Sequence, residues 1–242
     1  NKERKLHGNK ETVVKVCNWL SLPLQALGCC ILYLVIEAFS RHSLAAAWSY
    51  MVESPWVFLY NAFLIFTTFM VVYLFRRRVL VRLIMSCFWL LLGIINGVIL
   101  ANRVTPFTGP DLRNLSDGAK VVTKYLSKGT MILVAAALVA LLAFFVWVWI
   151  KGPKFQGKIR WYLNVPLIAL VIVLFTGATN LALAKRVLSS YFVNIAFAYQ
   201  DYGYPYCLAV TIFDTGISEP NGYSKALMED IVHSEGEIKK TK

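Results

Sequence analysis

The residues whose types and spacing could do chemistry lie in one polar stretch, residues 102–112, which reads Asn-Arg-Val-Thr-Pro-Phe-Thr-Gly-Pro-Asp-Leu directly after a long apolar run. Arg103, Thr105, Thr108, Asp111 and Arg113 gather two guanidinium groups, two hydroxyls and a carboxylate in a short segment. A guanidinium beside the free amides of a helix start suits a phosphate, such as that of a phospholipid headgroup. These five residues therefore form a candidate headgroup-binding set. A second reading stands beside it: Asp111 already places a carboxylate at that helix end, and Arg103 would then anchor the segment to lipid phosphates without selecting among them.

The elements that must position this set follow from proline and from hydropathy. Pro106 and Pro110 remove backbone donors and push the residues before them out of the helical region, so the apolar helix ending near Ala101 cannot continue. Thr108-Gly-Pro-Asp111 then reads as a capping-box start. The apolar positions Leu112, Leu115, Ala119, Val122 and Leu126 fall at helical spacing, broken by Arg113, Lys120, Lys124 and Lys128. That is the pattern of a helix lying in a membrane interface.

The whole chain is 58% hydrophobic and 16% charged, with a mean hydropathy of +0.59. A soluble domain of this length is not so apolar, and the expected fold is an all-α integral membrane protein. A spanning helix needs roughly 20 mostly apolar residues, and five runs qualify: 17–39, 55–75, 79–101, 130–150 and 161–184. The interfacial helix follows the third run, and a juxtamembrane helix follows the fifth. Residues 43–51, Ala-rich with Trp48 and Tyr50, read as an interfacial turn before Pro55 opens the second run.

The formal net charge of +12 invites a nucleic-acid reading, but the basic residues cluster at the ends of apolar runs. Membrane orientation accounts for them and no nucleic-acid partner is expected. Lys2, Arg4, Lys5, Lys10 and Lys15 precede the first run; Arg76, Arg77, Arg78 and Arg82 lie at the second turn; Lys151, Lys154, Lys158 and Arg160 lie at the last. The N-terminus is accordingly expected in the cytoplasm and the C-terminus outside, in a multi-pass protein of the plasma membrane. The basic residues between 102 and 129 are a local exception.

Catalysis requires nucleophile, base and charge stabiliser to converge, and no paired carboxylates, phosphate loop or nucleophile motif is found. The expected catalytic set within this chain is empty. Cys17, Cys29, Cys30, Cys87 and Cys207 lack metal-ligand spacing, and His7, His42 and His233 fall in separate regions, so neither a metal site nor a cofactor is expected in this chain. Glu37, Arg82 and Lys185 sit near helix ends where snorkelling suffices, and Asn61, Asn96 and Asn180 read as packing glue. Gly93-Ile-Ile-Asn-Gly97 is a small-xxx-small spacing, read as packing within one bundle. Pro23 and Pro166 read as shape.

After Lys185 and Arg186 the composition changes. Residues 189–200 form an aromatic, amphipathic stretch, and Tyr202-Gly-Tyr-Pro-Tyr206 concentrates rings that favour the headgroup layer. Glu219-Pro-Asn-Gly-Tyr-Ser224 carries a turn signal, with Ser224 able to cap a short helix. The division expected is 1–186, a five-helix transmembrane domain; 187–233, an extracytoplasmic juxtamembrane segment; and 234–242, a linker.

Three features together resemble the lipoteichoic acid synthase family of membrane phosphotransferases, in the alkaline phosphatase and sulfatase superfamily. They are Arg103-Val-Thr-Pro-Phe-Thr-Gly-Pro-Asp-Leu112, Tyr199-Gln-Asp-Tyr-Gly-Tyr204 with the apolar stretch 208–213 after it, and Glu219-Pro-Asn-Gly-Tyr-Ser224, in order and spacing relative to five spans. The resemblance implies a membrane domain followed by an extracytoplasmic catalytic domain. That domain uses a threonine nucleophile and a divalent metal, typically manganese, to move glycerol phosphate from phosphatidylglycerol. Its nucleophile and ligands would lie after Lys242, so no catalytic residue carries over. The partners implied are anionic phospholipid and the chain's own C-terminal domain; oligomeric state is not implied. A stand-alone lipid transporter or flippase and a noncatalytic scaffold subunit are the alternatives.

Overall fold

The computed structural model describes residues 20–114, 128–153, 155, 161–189 and 191–213. Among these the chain is all helical, without a strand. In chain order the elements are α1 (Ser21–Ser40), α2 (Leu44–Glu53), α3 (Pro55–Phe69, continued by a 3-10 turn Met70–Leu74), α4 (Arg78–Leu100), α5 (Gly109–Arg113), α6 (Lys128–Lys151), α7 (Trp161–Ala184), α8 (Ile195–Tyr202) and α9 (Tyr204–Phe213).

Among the described residues four helices are long and apolar enough to cross a membrane: Ser21–Ser40, Pro55–Leu74, Arg78–Leu100 and Trp161–Ala184. The run expected at 130–150 is helical within α6, whose shorter apolar stretch is Ala136–Lys151. By length and composition four spans stand where five are expected. The faces of α4, α6 and α7 expose large apolar side chains, among them Leu91, Val98, Leu142, Trp147, Val173 and Leu181. In water such a surface would drive association; hydrocarbon accommodates it.

Local chemistry sets the helix boundaries. Pro55 sits at the first position of α3, where its missing N–H costs nothing. Ser43 caps α2 by accepting the Ala46 N–H at 3.2 Å. Residues 43–51 are therefore part of a ten-residue helix, where the sequence reading expected a turn. The Ala run has high helix propensity and Ser43 supplies the cap, and both signals outweigh the shortness of the segment.

Glycine brings α1 and α4 together. A methyl added at Gly93 would lie 3.1 Å from Ile36 Cγ1, and one at Gly97 only 2.8 Å from the Phe39 carbonyl oxygen. The Gly93–Gly97 spacing thus serves close packing inside the bundle. The core between α1, α3 and α4 is filled by Tyr33, Ile36, Phe58, Ile65 and Trp89.

Side-chain contacts give the bundle two chemically distinct ends. At one, Arg82 meets Ser21 and Gln25, Asn164 donates to the Tyr73 carbonyl at 2.8 Å, and the Phe155 N–H bonds the Arg76 carbonyl. This is the Arg76 end. At the other, the Asn102 end, His42 bonds the Gly97 carbonyl at 2.9 Å and Tyr60 meets Thr179 at 2.8 Å. The helices α5, α8 and α9 gather there.

Candidate functional site

Three buried polar side chains, one on each of three long helices, build the Asn102 end. Glu37 on α1, Asn61 on α3 and Asn96 on α4 are all fully inaccessible. Each accepts a main-chain N–H from a segment laid across the bundle: Glu37 from Tyr204 at 3.0 Å, Asn61 from Tyr206 at 2.9 Å and Asn96 from Phe107 at 2.8 Å. A buried amide without a partner costs about 1–3 kcal/mol, so these acceptors dictate where the segments sit.

The pattern follows from the needs of a helix start. The first four N–H groups of a helix have no partner within it. In α9 the Tyr204 N–H goes to Glu37, Pro205 has none, the Tyr206 N–H goes to Asn61 and the Cys207 N–H goes to the Gly203 carbonyl. The buried carboxylate also lies at the positive end of the α9 dipole. Asn61 spans the junction, because its amide nitrogen donates to the Tyr202 carbonyl at the end of α8 and to the Val57 carbonyl on its own helix.

Gly203 makes the junction sterically feasible. Its φ is 82°, in the left-handed region, and a Cβ there would overlap the Tyr33 hydroxyl and lie 2.6 Å from Asn61 Nδ2. No other residue fits. Glu37 is held in turn by Arg41, whose Nε donates to Oε2 at 3.1 Å while its Nη2 donates to the Gln200 carbonyl at 2.7 Å. The Arg41 guanidinium also lies 4.0 Å from the centre of the Tyr50 ring. Tyr50 is held by burial, with the charge of Glu37 adding to it, so its hydroxyl stays neutral well above the usual phenol range.

Residues 102–113 dock against the far end of α9. The Gly109 N–H donates to Thr211 Oγ1 at 3.0 Å, and Arg113 donates to the Ile212 carbonyl at 3.1 Å. A Cβ at Gly109 would lie 2.7 Å from the Ile212 nitrogen, so backbone touches backbone there. The segment and α9, quoted separately in the resemblance, are one surface.

Within that segment the Thr108–Asp111 capping box forms, with the Thr108 N–H donating to Asp111 Oδ2 at 2.9 Å. The Thr108 hydroxyl donates to the same oxygen at 2.9 Å. The Arg103 guanidinium grips the Asp111 carboxylate with both arms, one bond being 3.0 Å, while also donating to the carbonyls of Thr105 and Pro106. Partial burial pushes the Asp111 carboxyl up, but Arg103 and Thr108 outweigh it and hold the group below the usual carboxylate range. The fork of Arg103 is thus matched to an internal carboxylate, and a headgroup phosphate must displace Asp111 to take the same bidentate pose.

Sequence reasoning placed Glu37 among residues that snorkel at a helix end, and the structure corrects this: it is buried and paired. The Arg41 four residues later was the signal, since that spacing puts both on one face. Tyr204 and Tyr206, expected in the headgroup layer, lie buried in the bundle. The helix expected to run on through Leu115 to Leu126 falls outside the described residues, beyond the single turn of α5. So do His7, His233, Ser224 and the 234–242 linker.

Beneath α9 a groove of about 640 Å³ runs from Trp89 and Thr68 in the middle of the bundle to Tyr206 and Phe213 at its Asn102 end. It is almost wholly apolar, because Trp89 Nε1 donates to Thr68 Oγ1 at 2.9 Å and both polar groups are thereby turned on each other. Among the described residues no group of three or more His, Cys, Asp or Glu could hold a metal ion, so the residues present do not fit the manganese of the resemblance and no step through it is assigned to them.

No family model, no curated protein and no solved structure matches the chain.

Proposed function

We propose that this chain is the membrane domain of a phosphotransferase resembling the lipoteichoic acid synthases, anchoring an extracytoplasmic catalytic domain and shaping lipid access to it. The observation that carries this reading is the lock at the Asn102 end: Glu37, Asn61 and Asn96 fix α8, α9 and the 102–113 segment to the spanning helices through main-chain hydrogen bonds. A domain following α9 would leave the membrane from a braced platform rather than from a loose tether. The apolar groove beneath α9 has room for a phospholipid to seat a chain while its headgroup stays at the surface.

In this reading α6 is the fourth of five spans, the Arg76 end faces the cytoplasm and the Asn102 end faces outside in the plasma membrane. Arg103, Thr105, Thr108, Asp111 and Arg113, in the segment docked on α9, meet the headgroup, and anionic phospholipid is the lipid partner. Manganese would belong to the catalytic domain.

Two experiments test it. In intact cells an impermeant thiol reagent should modify a cysteine tag after Lys242 and spare one before Asn1; the reverse labelling would refute the orientation. Reading the coding frame downstream of Lys242 distinguishes the function: a metal-binding hydrolase domain there supports the proposal, and a stop codon favours a stand-alone transporter or scaffold.

A further inference from the structure

At the Arg76 end, away from the platform, a cavity of about 420 Å³ lies between α1 and the start of α4. Among the described residues Ser21, Gln25, Arg78, Arg82 and Ser86 supply its polar lining, and no carboxylate lines it. Arg78 and Arg82 are four residues apart on one helix, so two like charges face the same space, an arrangement that is unfavourable without an anion between them. The α4 N-terminus adds to this, because the N-cap Arg77 makes no side-chain cap bond and the first turn holds no acidic residue. Its free amides and its dipole favour negative charge.

The independent sign of a ligand is Gln25. It is only 6% exposed, and its Oε1 accepts the Arg82 Nε at 3.2 Å, which fixes which end of the amide is nitrogen. The nitrogen, Nε2, is buried with no hydrogen-bond partner, and so is Arg78 Nε. Two buried donors lacking acceptors, between two guanidinium groups and an uncapped helix start, suit an oxygen-rich anion. Aromatic rings hold both guanidinium groups in place: Arg78 lies 3.7 Å from the Phe155 ring centre and Arg82 5.9 Å from that of Tyr73. The Tyr73 hydroxyl is itself held by Ser21 Oγ at 2.7 Å.

We infer that the cavity between α1 and the α4 N-terminus is a phosphate-binding site, taking the phosphate of an anionic phospholipid headgroup or free inorganic phosphate through Gln25, Arg78 and Arg82. The chemistry of the site is independent of the transfer reading. Only the leaflet from which a lipid would enter depends on the proposed orientation.

The test uses the full chain purified in neutral detergent and titrated separately with phosphatidylglycerol, phosphatidylcholine and inorganic phosphate, with binding read by native mass spectrometry and by the shift in thermal unfolding. The variants are Gln25→Leu, Arg82→Lys and Arg82→Ala, with Arg76→Ala as a control for charge at the same end. Gln25→Leu keeps the packing volume, and its melting curve without ligand establishes that it folds. Loss of a charge-assisted contact predicts about tenfold weaker phosphatidylglycerol binding in Gln25→Leu and Arg82→Ala. Arg82→Lys should be intermediate and Arg76→Ala near wild type. Inorganic phosphate competing with the lipid identifies the headgroup as the source, and saturation by phosphate alone identifies the free ion; either supports the site. Binding of neither, or an equal loss in Arg76→Ala, overturns it.

Discussion

Glu37 and Tyr204 are 167 residues apart in sequence and joined by a 3.0 Å hydrogen bond from the Tyr204 N–H to a carboxylate that solvent does not reach. The same carboxylate holds Arg41, so one side chain ties the end of the first long helix to the start of the last described one. Removing it leaves both an amide and a guanidinium without their partner. Glu37→Leu should destabilise the chain by about 3 kcal/mol, the low end for a broken buried ion pair because Arg41 retains some access to water. Glu37→Gln keeps an acceptor for Tyr204 and should cost less. Unfolding in a graded detergent series measures both; equal losses would mean that the ion pair, not the Tyr204 bond, dominates.

Gly203→Ala tests the junction sterically. The added methyl meets Tyr33 and Asn61 in a left-handed backbone conformation, so α9 should lift from the bundle. Cys207, now buried, should become reactive to maleimide when the other cysteines are replaced by Ala. Unchanged protection of Cys207 would show that the junction accommodates a side chain.

Asn96→Leu removes the acceptor of the Phe107 N–H and the donor to Ser40 Oγ at 2.9 Å. The expected cost is about 1–3 kcal/mol, with faster amide exchange confined to residues 102–113. Exchange that quickens equally in α8 and α9 would contradict separate anchoring of the two segments.

The Arg103–Asp111 clamp should be sensitive to acid. Asp111 titrates below its ordinary value of about 3.8 in the folded chain. Its contribution is therefore complete above that value and is lost as pH falls through the lower folded one. Protection of the amides at residues 103–111, corrected for the intrinsic pH dependence of exchange, should fall in that window in the wild type and be already lowered, without further change in that window, in Asp111→Asn. Arg103→Lys, lacking the planar fork, should resemble Asp111→Asn, though by less than about 1 kcal/mol because the pair is half exposed.

Much of this architecture was legible in the residues. Apolar run length located the long helices, prolines located the break after Leu100, and Thr108 with Asp111 announced the start of α5. Each of those signals is local. What escaped was the pairing of distant parts: nothing near Tyr204 in sequence names Glu37 as its acceptor, and nothing near Phe107 names Asn96. That Tyr204 and Tyr206 pack against protein also escaped, because the acceptors that draw this helix start onto the bundle lie on distant helices. Gln25 and Arg82 drew no attention together because their contact joins different helices.

The acceptors Glu37, Asn61 and Asn96 read main-chain amides, and an amide is common to nearly every residue type. The bonds that dock positions 107, 204 and 206 therefore do not select their side chains; the buried packing of Phe107, Tyr204 and Tyr206 does. Composition there can change only among side chains that fill the same buried space, with Gly203 and the three polar residues kept. A docked segment moved onto another bundle would accordingly have to bring both its amides and side chains of matching volume to the recipient socket.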